Sequence, residues 1–303
     1  MLLSFLIIMK YLITYQIISF GNKHKDQDLF LVIISITMMF VMPIVSFYSN
    51  SRGYVHIYLG GISPNQWHNS TLILAMPFYL LLFDYSIRKI YTNNVNFIII
   101  LILIAVSILA KPNFVLAFIP CLVTYTILLS IKSSEKKCSI TKAIIIILVS
   151  SLLLMFQYYY TYINNDTFIH PSKTIFAPFL VWNLYSTHIW LSCLLSFAFP
   201  LAVTVIYFNQ IKKDIYVNIA WGTVLIATLM VAVLAEWPNY SAGNYFWGAI
   251  AANFILFIYC TRFLIAQKLC FKKIFCYCIL VLHLVSGVLL LLLFFYKGNT
   301  LIF

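Results

Sequence analysis

Acidic residues are the scarcest feature of this chain: Asp and Glu number 7 among 303 residues, against 19 Lys and Arg, and all charged types together make up 9%. So little charge excludes a soluble globular domain, whose surface needs far more polar cover. With 63% hydrophobic residues and a mean hydropathy of +1.00, a disordered chain is excluded too. The seven cysteines form neither a zinc spacing nor a disulfide framework; Cys276 and Cys278 lack a second ligand pair and read as small buried apolar residues. His-Glu-x-x-His, Gly-x-Ser-x-Gly, the phosphate-binding Gly-rich loop and the dinucleotide fingerprint are all missing, so zinc proteolysis, serine hydrolysis and nucleotide hydrolysis have no support. No metal and no cofactor is expected.

What the chain has instead is apolar length. Stretches at 2–20, 29–48, 71–86, 95–110, 114–131, 143–162, 189–208, 215–235, 246–266 and 274–296 are mostly near the ~20 residues that cross a hydrocarbon core. They predict an all-α, polytopic transmembrane bundle of about ten spans. Spans and loops use all of 1–303, which reads as a single integral membrane domain without linker or repeat. The first stretch has neither a basic start nor a small-residue cleavage site, so it is expected to be retained rather than removed as a signal peptide. Lys10 falls in its middle, where a charge is costly unless it snorkels, finds a partner or lines a polar cavity. A shallow or interfacial first segment, or a chain start inside a longer reading frame, would each remove that difficulty.

The basic residues are distributed unevenly. Lys23 and Lys25, Arg88 and Lys89, Lys132, Lys136, Lys137 and Lys142, Lys212 and Lys213, and Arg262, Lys268, Lys272 and Lys273 all fall in alternate, short connections. The positive-inside rule makes those connections cytoplasmic and both termini extracytoplasmic. The formal charge of +12 is thereby explained by topology and anionic lipid headgroups, without nucleic acid as a partner. The expected location is the cytoplasmic (inner) membrane, with the chemistry on its extracytoplasmic face.

The outward loops 49–70, 111–113, 163–188 and 236–245 hold the candidate site groups. The first carries Arg52, His56, Trp67, His68 and Asn69, with Gly60-Gly61 and Ser63-Pro64-Asn65 marking turns that let it fold back as a short re-entrant element. Trp67 offers a flat face for a sugar, or belongs to the interfacial aromatic belt; Asn69 or Ser70 could equally cap the next helix. Lys111-Pro112-Asn113 is a tight turn that does not need its lysine, so Lys111 reads as a point charge for lipid phosphate or as a snorkelling residue. Between Asn164 and His188, the aromatics Phe176, Phe179, Trp182 and Tyr185 recur every three residues, predicting an amphipathic helix along the membrane surface that Pro178 must begin or kink. In the last loop Glu236 has only Asp166 as an acidic companion on this side and is the candidate general base; Asn239, Asn244, Tyr245 and Trp247 could bind sugar. His283 reads as a lone histidine with a structural hydrogen bond.

In span count, in Phe/Tyr/Ile-rich texture and in its outward aromatic and basic loops, the chain resembles the multi-span polysaccharide polymerases of O-antigen and capsule assembly. More broadly it resembles the membrane-embedded glycosyltransferases with a C-type fold. The resemblance implies polymerisation or transfer of a polyprenyl-diphosphate-linked glycan at the outer face. Arg52 and Lys111 would contact phosphate, while His68 and Glu236 would serve the acceptor. The implied partners are the lipid-linked glycan, membrane lipids and other polysaccharide-assembly proteins. C-type enzymes using a polyprenyl-phosphate sugar donor place an acid in the first outward loop, and 49–70 has none, which favours the polymerase. A flippase or transporter of the same glycan would need polar groups through the midplane. A non-catalytic assembly subunit is the remaining alternative.

Overall fold

The computed structural model describes residues 1–21, 28–45, 60–92, 96–132, 136–160 and 173–297. It is an all-α bundle. The helices are α1 (Leu2–Ser19), α2 (Asp28–Phe40), α3 (Ser70–Thr92), α4 (Phe97–Ala110), α5 (Asn113–Lys132) and α6 (Lys136–Tyr158), then α7 (Leu180–Tyr185), α8 (Ile189–Ile206), α9 (Phe208–Ile211), α10 (Ile215–Val233), α11 (Phe246–Ile265) and α12 (Phe271–Lys297). Among the described residues, 7 helices are long and apolar enough to cross a membrane, and α2, α4 and much of α5 form shorter apolar helices. The ten apolar stretches are thus ten helices. The face that α6 turns outward, with Ile140, Ile144, Ile147, Leu152 and Met155 all exposed, would be untenable in water and suits hydrocarbon.

The axis of the bundle is α11. Every one of its residues except Arg262 is buried, as befits a helix that is apolar all round. Gly248, Ala249, Ala251 and Ala252 keep its flank thin, and it packs against α1, α2, α3, α5, α8 and α10.

The stretch predicted as one span over 29–48 is a helix only to Phe40. Pro43 accounts for the break, since the residue before a proline is pushed out of the helical region and proline itself donates no hydrogen bond. The freed backbone finds partners inside the bundle. Met42 N donates to His283 O (3.1 Å), Ile44 N to Leu195 O (3.2 Å) and Val45 N to Ser286 Oγ (3.1 Å). Because Ile44 occupies Leu195 O, Phe199 N donates instead to His283 Nε2 (3.3 Å), and His283 Nδ1 faces Met42 O at 2.6 Å. His283 is therefore structural, with both ring nitrogens engaged. Gly287 lets α12 approach this segment: a Cβ there would stand 1.6 Å from Phe40 O. Gly287→Ala should consequently force α2 and α12 apart at a cost of at least ~1–3 kcal/mol, read as a lower melting midpoint of the detergent-solubilised protein. An unchanged midpoint would show that the contact is not needed.

Residues 60–66 fold back into the bundle and are all buried, as the turn residues predicted. Irregular backbone survives at such depth only where protein groups satisfy it, and here they do. Trp182 Nε1 donates to Gly60 O (3.2 Å), Ile62 N to Ser196 Oγ (2.9 Å), and Asn253 Nδ2 to Ile62 O (2.6 Å) and Ser196 O (3.4 Å). Ser196 O is the carbonyl that Pro200 leaves without its helical N–H. Asn65 Nδ2 donates to Met38 O (2.7 Å) and Val41 O (2.9 Å) at the broken end of α2, and its Oδ1 accepts from Lys10 Nζ at 2.6 Å. The Lys10 ammonium also lies 3.7 Å from the centre of the Phe254 ring. Of the ways out for a mid-span charge, the fold uses a partner.

The surface helix predicted from the Phe176, Phe179, Trp182 and Tyr185 spacing does not form as one element. Lys173–Phe176 is a strand, β1, antiparallel to β2 (Leu234–Trp237), with Thr174 opposite Glu236. Pro178 and the left-handed Phe179 (φ 56) separate it from the six-residue α7. Thr, Ile and Phe suit a pleated strand as well as a helix, and β2 runs directly on from α10, offering them an edge. Trp182 then turns into the core, 2% exposed.

Candidate functional site

Three helices begin at one end of the bundle within a few side chains of each other: α3 at Ser70, α5 at Asn113 and α11 at Phe246. Each turns the positive end of its dipole toward that surface, although Asn69 caps Leu72 N on α3 and the preceding turn takes Phe246 N and Trp247 N on α11. They are pinned together by short contacts. Asn113 Nδ2 donates to Asn244 O (2.7 Å), and Gly248 lets α5 and α11 touch, since a Cβ on it would meet Asn113 O at 2.5 Å. The Tyr79 hydroxyl donates to Lys111 O, fixing the turn between α4 and α5.

Lys111 stands where the three meet. Its Nζ donates to Thr71 Oγ1 (3.0 Å) and lies 5.5 Å from the centre of the Trp247 ring, which is buried. His68 packs edge-on to the same indole, 6.0 Å between centroids. Among the described residues Lys111 has no acidic partner, because the only ion pair is Arg88 with Asp84. Partial burial pulls its pKa from the usual lysine range to about 8, and burial also lowers that of His68. The ammonium is therefore mostly charged near neutrality, partly buried and, among the described residues, without a counterion, an arrangement that favours an anion beside it.

Glu236 joins this corner through amides. Its Oε2 accepts from Asn244 Nδ2, and Asn244 in turn holds Asn113. The Tyr245 hydroxyl and Thr174 Oγ1 are 2.8 Å apart across β1, and the Tyr185 hydroxyl donates to Ser241 O. Gly243 takes a left-handed φ of 58, which closes the turn before α11.

The fold thus brings His68, Lys111, Asn244, Tyr245, Trp247 and Glu236 into one connected group. Other residues singled out in the sequence have plainer roles. Asn69 caps α3, accepting from Leu72 N (3.0 Å) and Thr71 Oγ1 (2.7 Å). Trp67 packs on the core, its Nε1 donating to Met39 O (3.3 Å). Asn239 is exposed and its carbonyl accepts Ala242 N in the 3-10 turn. Arg52 and His56 lie outside the described residues.

Three groups emerge only in three dimensions. Thr71 carries no signal in the sequence beyond its place next to the helix cap, yet it holds Lys111. Asn113 reads as a turn former but ties α5 to the loop before α11. Gln66 is 6% exposed, with neither amide atom hydrogen-bonded among the described residues, an unused polar group one position from Trp67 and two from His68. Among the described residues no cluster of His, Cys, Asp or Glu could hold a metal ion, and six cysteines are free thiols. No protein-family model, curated protein or solved structure matches this chain.

Proposed function

We propose that the protein is a membrane glycosyltransferase that joins polyprenyl-diphosphate-linked glycan units at the outer face of the cytoplasmic membrane, as a polysaccharide polymerase. The observation that carries this reading is the partly buried Lys111 ammonium, with no acidic partner among the described residues, at the convergence of three helix N-termini. That arrangement suits the diphosphate of a lipid-linked donor. The positive-inside rule assigns the short basic connections, among them those with Lys212, Lys213, Lys268, Lys272 and Lys273, to the cytoplasmic side, which supports an outer face for Lys111.

In the reaction, an acceptor hydroxyl oxygen attacks the anomeric carbon of the donor glycan. The new glycosidic bond forms as the bond from that carbon to the diphosphate oxygen breaks, and polyprenyl diphosphate leaves with the electron pair. Lys111 and the helix N-termini stabilise the charge that develops on the leaving group. Tyr245 offers aromatic surface beside it, the buried Trp247 backs Lys111 and His68, and Glu236 takes the acceptor proton.

Glu236→Gln tests the last assignment. Glutamine still accepts from Asn244, so a purely structural carboxylate would be replaced without loss. A general base would not, and transfer by the purified variant should fall ~10²–10⁴-fold at unchanged melting temperature. Full activity would remove Glu236 from the chemistry.

A transporter of the same glycan is the second reading, favoured by one observation: α2 is broken deep in the bundle beside Lys10, Asn65 and Asn253. Against it, Lys10 and Asn65 are hydrogen-bonded to each other and to the protein. They build the re-entrant segment, which sets Trp67 and His68 at its exit.

A further inference from the structure

A second charged site lies at the other end of the bundle, where α1, α3 and α11 finish and α10 begins. Two arginines meet there, and their situations differ. Arg88 Nη2 contacts both oxygens of Asp84 (2.8 and 3.1 Å), and the Tyr259 hydroxyl donates to Asp84 Oδ1 at 2.9 Å. Asp84 is thereby fully engaged. Arg262, the single residue of α11 that is not buried, has no carboxylate within ion-pair distance among the described residues. Its Nη1 is shielded from solvent yet has no hydrogen-bond partner there.

The surroundings hold that guanidinium in place. It lies 4.7 Å from the centre of the Tyr216 ring, 5.2 Å from Phe20 and 5.8 Å from Tyr259, and the two tyrosine rings stack at 5.3 Å and 10°. Aromatic faces of this kind orient an arginine and exclude water, and the Tyr216 hydroxyl accepts a side-chain hydrogen bond from the guanidinium while Nη1 stays unused among the described residues. Together with Phe20, Asp214, Tyr216, Tyr259 and Gln267, Arg262 lines a cavity of about 320 Å³. At ~30 Å³ per water, this is room for a headgroup rather than for a single bridging solvent molecule. Lys212, Lys213 and Lys268 are exposed in the connections that bound it and favour anions at its mouth. Asp214 is already committed as the cap of α10, accepting Val217 N at 3.0 Å, and its charge disfavours a dianion on the same wall.

We propose that this cavity binds a phosphate monoanion through Arg262, of the kind carried by a phosphodiester lipid headgroup. The proposal is independent of the chemistry assigned to Lys111. It predicts a phospholipid, or a free phosphate, that copurifies with the protein and steadies the ends of α1, α10 and α11.

Native mass spectrometry of the detergent-purified chain, delipidated and then titrated with phosphatidylglycerol, provides the test. Wild type and Lys173→Gln, an exposed position on β1 outside this cavity, should retain the lipid alike, while Arg262→Gln should bind at least ~10-fold more weakly and Arg262→Lys should fall between, since an ammonium lacks the planar fork. Gln267→Trp, which fills the cavity and leaves Arg262 in place, should also lose binding and serves if Arg262→Gln does not fold. Displacement by millimolar inorganic phosphate would assign the site to the free anion, whereas retention against phosphate assigns it to the headgroup. Equal lipid retention by wild type, Arg262→Gln and Gln267→Trp would overturn the proposal.

Discussion

Lys111→Met should reduce glycan transfer ~10²–10³-fold, the scale expected when one preorganised group opposite developing charge is removed. Methionine is close to lysine in length, so the turn between α4 and α5, fixed by the Tyr79 hydroxyl on the Lys111 carbonyl, should stay intact. Lys111→Arg should recover part of the rate, because it restores charge but cannot keep the same approach to Thr71 and Trp247. The two cations also part company with pH. Lys111 titrates at about 8 in the free protein, so kcat/KM of wild type should fall as pH rises through that value, whereas bound diphosphate holds the proton and leaves kcat flat. The arginine variant should show no such decline. Equal rates for wild type and Lys111→Met, at matched folding, would remove the anion site from the account.

Asn65→Leu should be the most damaging single change to the fold. It strands the Lys10 ammonium without its acceptor and leaves Met38 O and Val41 O without the two donors that close the broken end of α2. An uncompensated charge in such a place costs ~3–5 kcal/mol, and each orphaned carbonyl adds ~1–3 kcal/mol. The variant should therefore purify poorly and melt far below wild type. Lys10→Met combined with Asn65→Leu should recover a large part of the loss, since the charge goes with its acceptor. If single and double variants melt together, the Lys10 to Asn65 contact does not bear on stability.

How much of this was legible in the sequence depends on the range of the interaction concerned. The ten helices could be read because each apolar run carries its own signal. The re-entrant segment could be read from Gly60-Gly61 and Pro64, which act locally. Pro43 announced the end of α2 equally locally, but the apolar run over 29–48 masked it. The partner of Lys10 was not legible: Asn65 lies 55 positions away, and nothing in either neighbourhood marks the pair. The aromatic spacing after Asn164 misled because a period of three fits a helix, while the strand it partly forms depends on an edge supplied by Leu234–Trp237. For the site, residue types were readable and their roles were not. Lys111 stood out as a needless cation in a turn, yet only the packing of α3, α5 and α11 joins it to Thr71, His68 and Trp247.

The most direct measurement is reconstitution of the purified protein in liposomes with a labelled polyprenyl-diphosphate oligosaccharide and no other protein or sugar donor. The account predicts products of two or more repeat units, released polyprenyl diphosphate, and loss of both on Lys111→Met. Substrate of unchanged length that becomes accessible on the opposite leaflet would contradict it and establish transport instead.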